Sequence, residues 1–143
     1  MLKTSERKFT VGETVYVVDC WDIDEEFKAK ETEAIILYAD EKFEFFVAVL
    51  YAEEYKVYSF NDYRRLIFDT PEQAANAARK FPKPKEIVYQ RIGKKVYDKM
   101  VLRITGQVSE GIYDLFIVLE NGKTISTKEI GHSIFLRKSD VKK

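Results

Sequence analysis

The sequence predicts a mainly β (α+β) protein of two tandem units with a single helix between them, and three observations carry that prediction. Period-2 alternation and runs of β-branched and aromatic residues recur along the whole chain. A sustained helical period occurs once, over residues 71–81. Shifting the chain by 67 residues lays KVYSFNDYRRLIF (56–68) over KTISTKEIGHSIF (123–135), with Lys, Ser, Ile and Phe coinciding. The same shift, without gaps, superimposes Ile35 on Leu102, Leu37 on Ile104, Phe45 on Ile112 and Leu50 on Ile117. Apolar positions that agree in register are the mark of an internal duplication.

Taken in order, Gly12-Glu13 introduces a first strand, TVYVV, at residues 14–18. The acidic segment after Trp21 reads as a loop of about 8 to 10 residues. Residues 34–38 and 43–51 read as a hairpin around the polar break ADEK at 39–42, and residues 55–60 as the next strand. Thr70-Pro71-Glu72-Gln73 starts the helix: a Thr N-cap, a Pro where no amide donor is required, and Gln in the capping-box position. The helix stops at Phe81, because Pro82 and Pro84 bias the residues before them out of the α region, leaving FPKPK as a stiff extended connector. The second half repeats the plan, with strands at 87–89, 96–104, 112–119 and 123–127 and an Asn121-Gly122 hairpin turn that tolerates positive φ. Each unit reads as four or five short strands curled into a small SH3-like barrel. The units span 8–81 (acidic, ending in the helix) and 87–143 (basic), joined by a Pro/Lys connector at 82–86.

The composition, 45% hydrophobic and 14% aromatic over 143 residues, excludes a disordered chain. The longest uncharged apolar stretch, residues 45–52, is far below the ~20 that a membrane helix requires, so no membrane partner is expected. MLKTSERKFT lacks the apolar core of a signal peptide and the single Cys20 has no disulfide partner, which together point to the cytoplasm. The zero net charge conceals a division: residues 1–76 hold 9 Lys or Arg against 17 Asp or Glu, net −8, and residues 77–143 hold 15 against 7, net +8.

Catalytic and metal chemistry find little to build on. His132 is the one imidazole; paired with Cys20 it could activate a thiolate, but it reads as an exposed loop residue and Cys20 as a small buried hydrophobe. Asp22, Asp24, Glu26 and Glu33 fall at positions 1, 3, 5 and 12 of a calcium-loop count, yet Phe27 stands where the sharp turn demands Gly. One Cys and one His cannot make a tetrahedral zinc site. There is no GxGxxG, phosphate loop or GxSxG. No enzyme activity, metal or cofactor is expected.

The start FTVGETVYVV (9–18) and the ending IFDTPEQAANAA (67–78) together resemble small β-barrel proteins of Gram-positive bacteria and their phages. In those proteins an F-x-VGE-x-VYVV strand leads to a terminal IF-x-T-x-E-x-A helix. The resemblance covers residues 9–78; the second ending, IFLRKSDVKK, lacks the Pro-Glu pair and the alanines. It implies a fold type.

Function is then expected to lie in binding. The leading expectation is a protein-interaction module whose acidic first half docks on a basic or nucleic-acid-binding partner. Its recognition loop is Trp21, Asp22, Asp24, Glu25, Glu26 and Phe27, with the aromatics as anchors. By analogy with small, motif-free, acidic phage proteins, such a module would inhibit a nucleic-acid enzyme in the manner of an anti-CRISPR protein. The alternative is nucleic-acid binding by Arg79, Lys80, Lys83, Lys85, Arg91, Lys94, Lys95 and Lys99, with Phe81, Tyr89 and Tyr97 interleaved. The pair Arg64-Arg65 could present two more guanidinium groups. A third expectation is self-association, acidic half to basic half.

Overall fold

A computed structural model describes residues 7–21, 28–50 and 53–141. Its strands are β1 (Thr14–Trp21), β2 (Lys28–Asp40), β3 (Phe45–Val49), β4 (Tyr55–Ser59) and β5 (Ile67–Phe68) in the first half. Helix α1 (Pro71–Lys80) follows, and then β6 (Ile87–Ile92), β7 (Lys95–Ser109), β8 (Ile112–Leu119), β9 (Thr124–Ser126) and β10 (Ile134–Phe135). The fold is mainly β: two five-stranded antiparallel sheets ordered β4-β3-β2-β1-β5 and β10-β6-β7-β8-β9, with one helix. Read from the other edge, the second order is β9-β8-β7-β6-β10, the first order over again. Neither sheet is closed into the expected barrel: no ladder joins β4 to β5 or β9 to β10 among the described residues.

The repetition extends to single hydrogen bonds. After β4 and β9 the chain makes a one-turn 3₁₀ helix, Phe60–Asp62 and Thr127–Glu129. Ser59 and Ser126 cap these turns, each Oγ accepting at 3.1 Å, from the N–H of Asn61 and of Lys128. The Arg64 N–H then donates to Ile67 O and the Gly131 N–H to Ile134 O, both at 2.7 Å. The N–H groups of Val18 and Arg91 donate to Leu66 O and Ser133 O, both at 2.8 Å, tying the short fifth strand of each sheet to its neighbour.

The chain divides into two compact units. Unit 1 comprises Met1–Asp19, Lys30–Lys80 and Val108–Asp114; unit 2 comprises Cys20–Ala29, Phe81–Gln107 and Leu115–Lys143. In unit 1 the Phe9 ring lies 4.9 Å from both Phe46 and Phe60, and Val15, Val17, Ile36 and Leu66 are fully buried. The Tyr113 ring, supplied by residues 108–114, meets Tyr58 edge-on at 5.8 Å. The core of unit 2 is Val88, Val101, Ile104, Leu115, Ile117, Leu119 and Ile134.

Several elements depart from the sequence reading. Strand β2 starts at Lys28 rather than at residue 34. Thr32, Ala34 and Ile36 face inward while Glu31, Glu33 and Ile35 face out, so charged outward residues mask a genuine period-2 strand. Thr70 Oγ1 accepts from the Gln73 N–H at 3.2 Å, as its capping role requires, and the helix buries Ala74 and Ala78, but it ends at Lys80 instead of Phe81. The FPKPK connector is not extended throughout: Pro84-Lys85 forms a turn with Lys85 at φ 75°. Its N–H donates to Val101 O at 2.7 Å, as that of Gly12 (φ 89°) does to Ile36 O.

Candidate nucleic-acid interface

Strands β6 and β7 form a ribbon within the second sheet, flanked by β10 and β8 and turned by Gly93 (φ 63°) and Lys94, with Ile92 opposite Lys95, Arg91 opposite Val96, Gln90 opposite Tyr97 and Val88 opposite Lys99. Near its base the ribbon is anchored by buried Val88 and Val101. Toward the tip both faces are open: Ile92 is 50% exposed and Val96 and Tyr97 are each 40% exposed. These side chains follow β propensity in a segment that has run beyond its core, where burial no longer selects the face.

The ribbon carries four of the eight basic residues singled out from the sequence. Lys94 and Lys95 are exposed at the tip, and Lys99 is half-buried with Nζ 5.8 Å from the centre of the Tyr97 ring. Arg91 lies over the Phe135 ring at 5.1 Å. Lys83 and Lys85 are exposed on the segment leading into β6, where the Lys83 N–H is held by Glu86 Oε1 at 2.8 Å. Arg79 and Lys80 belong to unit 1, in the last turn of α1, with Arg79 hydrogen-bonded to Asn76. Of the acidic recognition loop, Trp21 closes β1, whereas Asp22, Asp24, Glu25, Glu26 and Phe27 lie outside the described residues.

Arg64 and Arg65 do not act as a pair. Arg64 is exposed at φ 72°, while Arg65 turns inward, its Nη2 2.8 Å from Asp62 Oδ1 and 2.7 Å from Asp114 Oδ1. These belong to a buried polar cluster in unit 1 that sequence reasoning missed. Asp19 accepts from the Tyr113 hydroxyl and has Lys56 Nζ at 3.4 Å; the same ammonium sits 3.7 Å from the centre of the Tyr113 ring. Tyr58 OH and Asp62 Oδ2 are buried there with no hydrogen-bond partner. Burial, reinforced by the charge on Asp19, pushes the Tyr58 phenol well above its ordinary value. The available signal was a lone Asp inside an apolar strand, VVDCW and IYDLF, which in a sheet needs either solvent or a buried partner.

Cys20 is half-buried, its thiol 2.8 Å from Ile104 O, and His132 is exposed in the turn at 131–133. That turn borders an open cleft of about 500 Å³ in unit 2, shared with Arg91, Phe135, Leu136 and Asp140. Among the described residues no three His, Cys, Asp or Glu side chains gather as a metal site, and no helix is long and apolar enough to cross a membrane. Comparison of the chain with protein-family models, with curated proteins and with solved structures returns no match in any of the three.

Proposed function

We propose that the protein acts by binding rather than catalysis, and that the β6–β7 ribbon of unit 2 is a nucleic-acid contact surface. One observation carries this reading: Arg91, Lys94, Lys95 and Lys99 share the β6–β7 ribbon with a single carboxylate, Asp98, and with exposed Ile92, Val96 and Tyr97. Clustered cations release the counterions condensed on a polyanion, and accessible aromatics offer bases a stacking surface. In this proposal the two units are duplicated SH3-like modules of a cytoplasmic protein, supported by the shared strand order and the matching bonds around Ser59 and Ser126.

A second reading rests on the corresponding hairpin of the first sheet. Where β6 and β7 are joined by Gly93-Lys94, β1 and β2 are joined by residues 22–27, which include Asp22, Asp24, Glu25 and Glu26. A basic protein partner, such as a nucleic-acid enzyme inhibited in the anti-CRISPR manner, suits that charge.

The two readings separate in one titration. Labelled oligonucleotide should bind the wild type with an affinity that falls steeply with salt, and the double substitution Lys94→Glu/Lys95→Glu should abolish binding. Salt-insensitive binding, or binding that survives the double substitution, rejects the ribbon. Reversing the charges of Asp22, Asp24, Glu25 and Glu26 should leave the oligonucleotide affinity no weaker.

A further inference from the structure

The geometry points to single-stranded nucleic acid as the ligand of this ribbon, held on the face that carries Lys95, Tyr97 and Lys99. The inference rests on the nucleic-acid reading above and deepens it by choosing a face and a strandedness. Alternation along β7 puts residues 95, 97 and 99 on one side, and the register puts Ile92, Gln90 and Val88 opposite them on that same side. Along the strand the order is therefore cation, ring, cation, with about 6.7 Å between successive side chains on one face. A phosphate, a base and the next phosphate meet those three groups in turn.

The other face does not offer this. It carries Tyr89, Arg91, Val96 and Asp98; Arg91 is stacked on Phe135, and Asp98 adds a carboxylate that repels phosphate. On the Lys95–Tyr97–Lys99 side no carboxylate belongs to the ribbon. The Tyr97 ring is 40% exposed, with Lys99 Nζ 5.8 Å from its centre, so the cation is already placed beside the stacking surface. Stacking requires the face of a base, which a duplex keeps against its neighbours and a single strand presents freely.

Gln90 marks where this face passes from the open end of the hairpin into the core. It lies directly across the ribbon from Tyr97, is 92% buried, and its Oε1 accepts no hydrogen bond. A buried acceptor without a donor is costly.

The test is a fluorescence-anisotropy titration of the full chain with a labelled mixed-sequence single strand of about 15 nucleotides, with the matching duplex, and with heparin as a stacking-free polyanion. The wild type should prefer the single strand to the duplex. Tyr97→Phe should bind within twofold of wild type, and Tyr97→Ala should lose about 5- to 150-fold on the single strand, the range set by one base–aromatic stack. Heparin binding by Tyr97→Ala should stay within twofold, and its circular dichroism and thermal unfolding should match those of the wild type, showing that the variant is folded. If the wild type binds the duplex as well as the single strand, or Tyr97→Ala loses nothing, the stacking inference is overturned while the polyanion reading stands. If the wild type binds none of the three probes, both fall together.

Discussion

Arg65 Nη2 donates to Asp114 Oδ1 at 2.7 Å across 49 positions of sequence, and the same nitrogen donates to Asp62 Oδ1 at 2.8 Å. The Asp62 and Asp114 side chains are 3% and 5% exposed, so one guanidinium answers two carboxylates withdrawn from water. Removing it takes a cation away from both carboxylates. Arg65→Met is expected to lower unfolding free energy by about 3–5 kcal/mol, measured by urea denaturation, and Asp62→Asn/Asp114→Asn in the same background should recover most of the loss. A loss below about 1 kcal/mol would place this pair among surface ion pairs of little consequence.

Acid should unfold the protein partly through Arg7. Its guanidinium reaches Glu13 at 2.6 Å and Asp69 at 2.8 Å while lying 4.5 Å from the centre of the Phe9 ring. The hydrogen bond from Arg7 holds the Glu13 carboxyl below its ordinary value of 4.5. Burial opposes ionisation of Asp69, but hydrogen bonds from Tyr63 and Arg7 outweigh it and keep that carboxyl below its ordinary 3.8. Both groups bind protons more readily when unfolded, so their stabilisation is full above the ordinary carboxylate range and is lost as pH falls through the depressed values. Arg7→Gln should therefore move the acid midpoint, followed by circular dichroism between pH 6 and pH 2, to higher pH. An unchanged midpoint would show that these contacts contribute nothing.

The repeated turn predicts its own substitutions. Arg64 adopts φ 72° where Gly131 adopts φ 90°, and each N–H donates to the carbonyl three residues on at 2.7 Å. A Cβ at Gly131 would meet no atom within 4 Å, so the cost of adding one is purely conformational. Gly131→Ala should destabilise by about 1 kcal/mol, whereas Arg64→Gly, which exchanges left-handed strain for unfolded-chain entropy, should be neutral or stabilising by up to about 1 kcal/mol. Thermal unfolding of the two variants provides the check; a stabilising Gly131→Ala would contradict the backbone reading.

The sequence by itself determined that the protein is mainly β with one helix, because alternation and capping are local properties: Thr70 caps α1, and β8 spans Ile112–Leu119 as its apolar run implies. The matching turns were legible too, since equivalent turns need equivalent backbone chemistry at Ser59 and Ser126 and at Ile67-Phe68 and Ile134-Phe135. Which charges are surface and which are interior depends instead on packing between distant segments. Asp19 and Arg65 look in sequence like members of an acidic run and a basic patch, yet Asp19 accepts from Tyr113, 94 residues away, and Arg65 reaches Asp114, 49 residues away, in addition to its neighbour Asp62; no local pattern encodes the two long-range contacts. Pairing between segments likewise divides the cations: strand register puts Lys95 and Lys99 on one face of β7 and Arg91 on the opposite face of the hairpin. Arg79 and Lys80, adjacent to these in the sequence pattern, belong instead to helix α1.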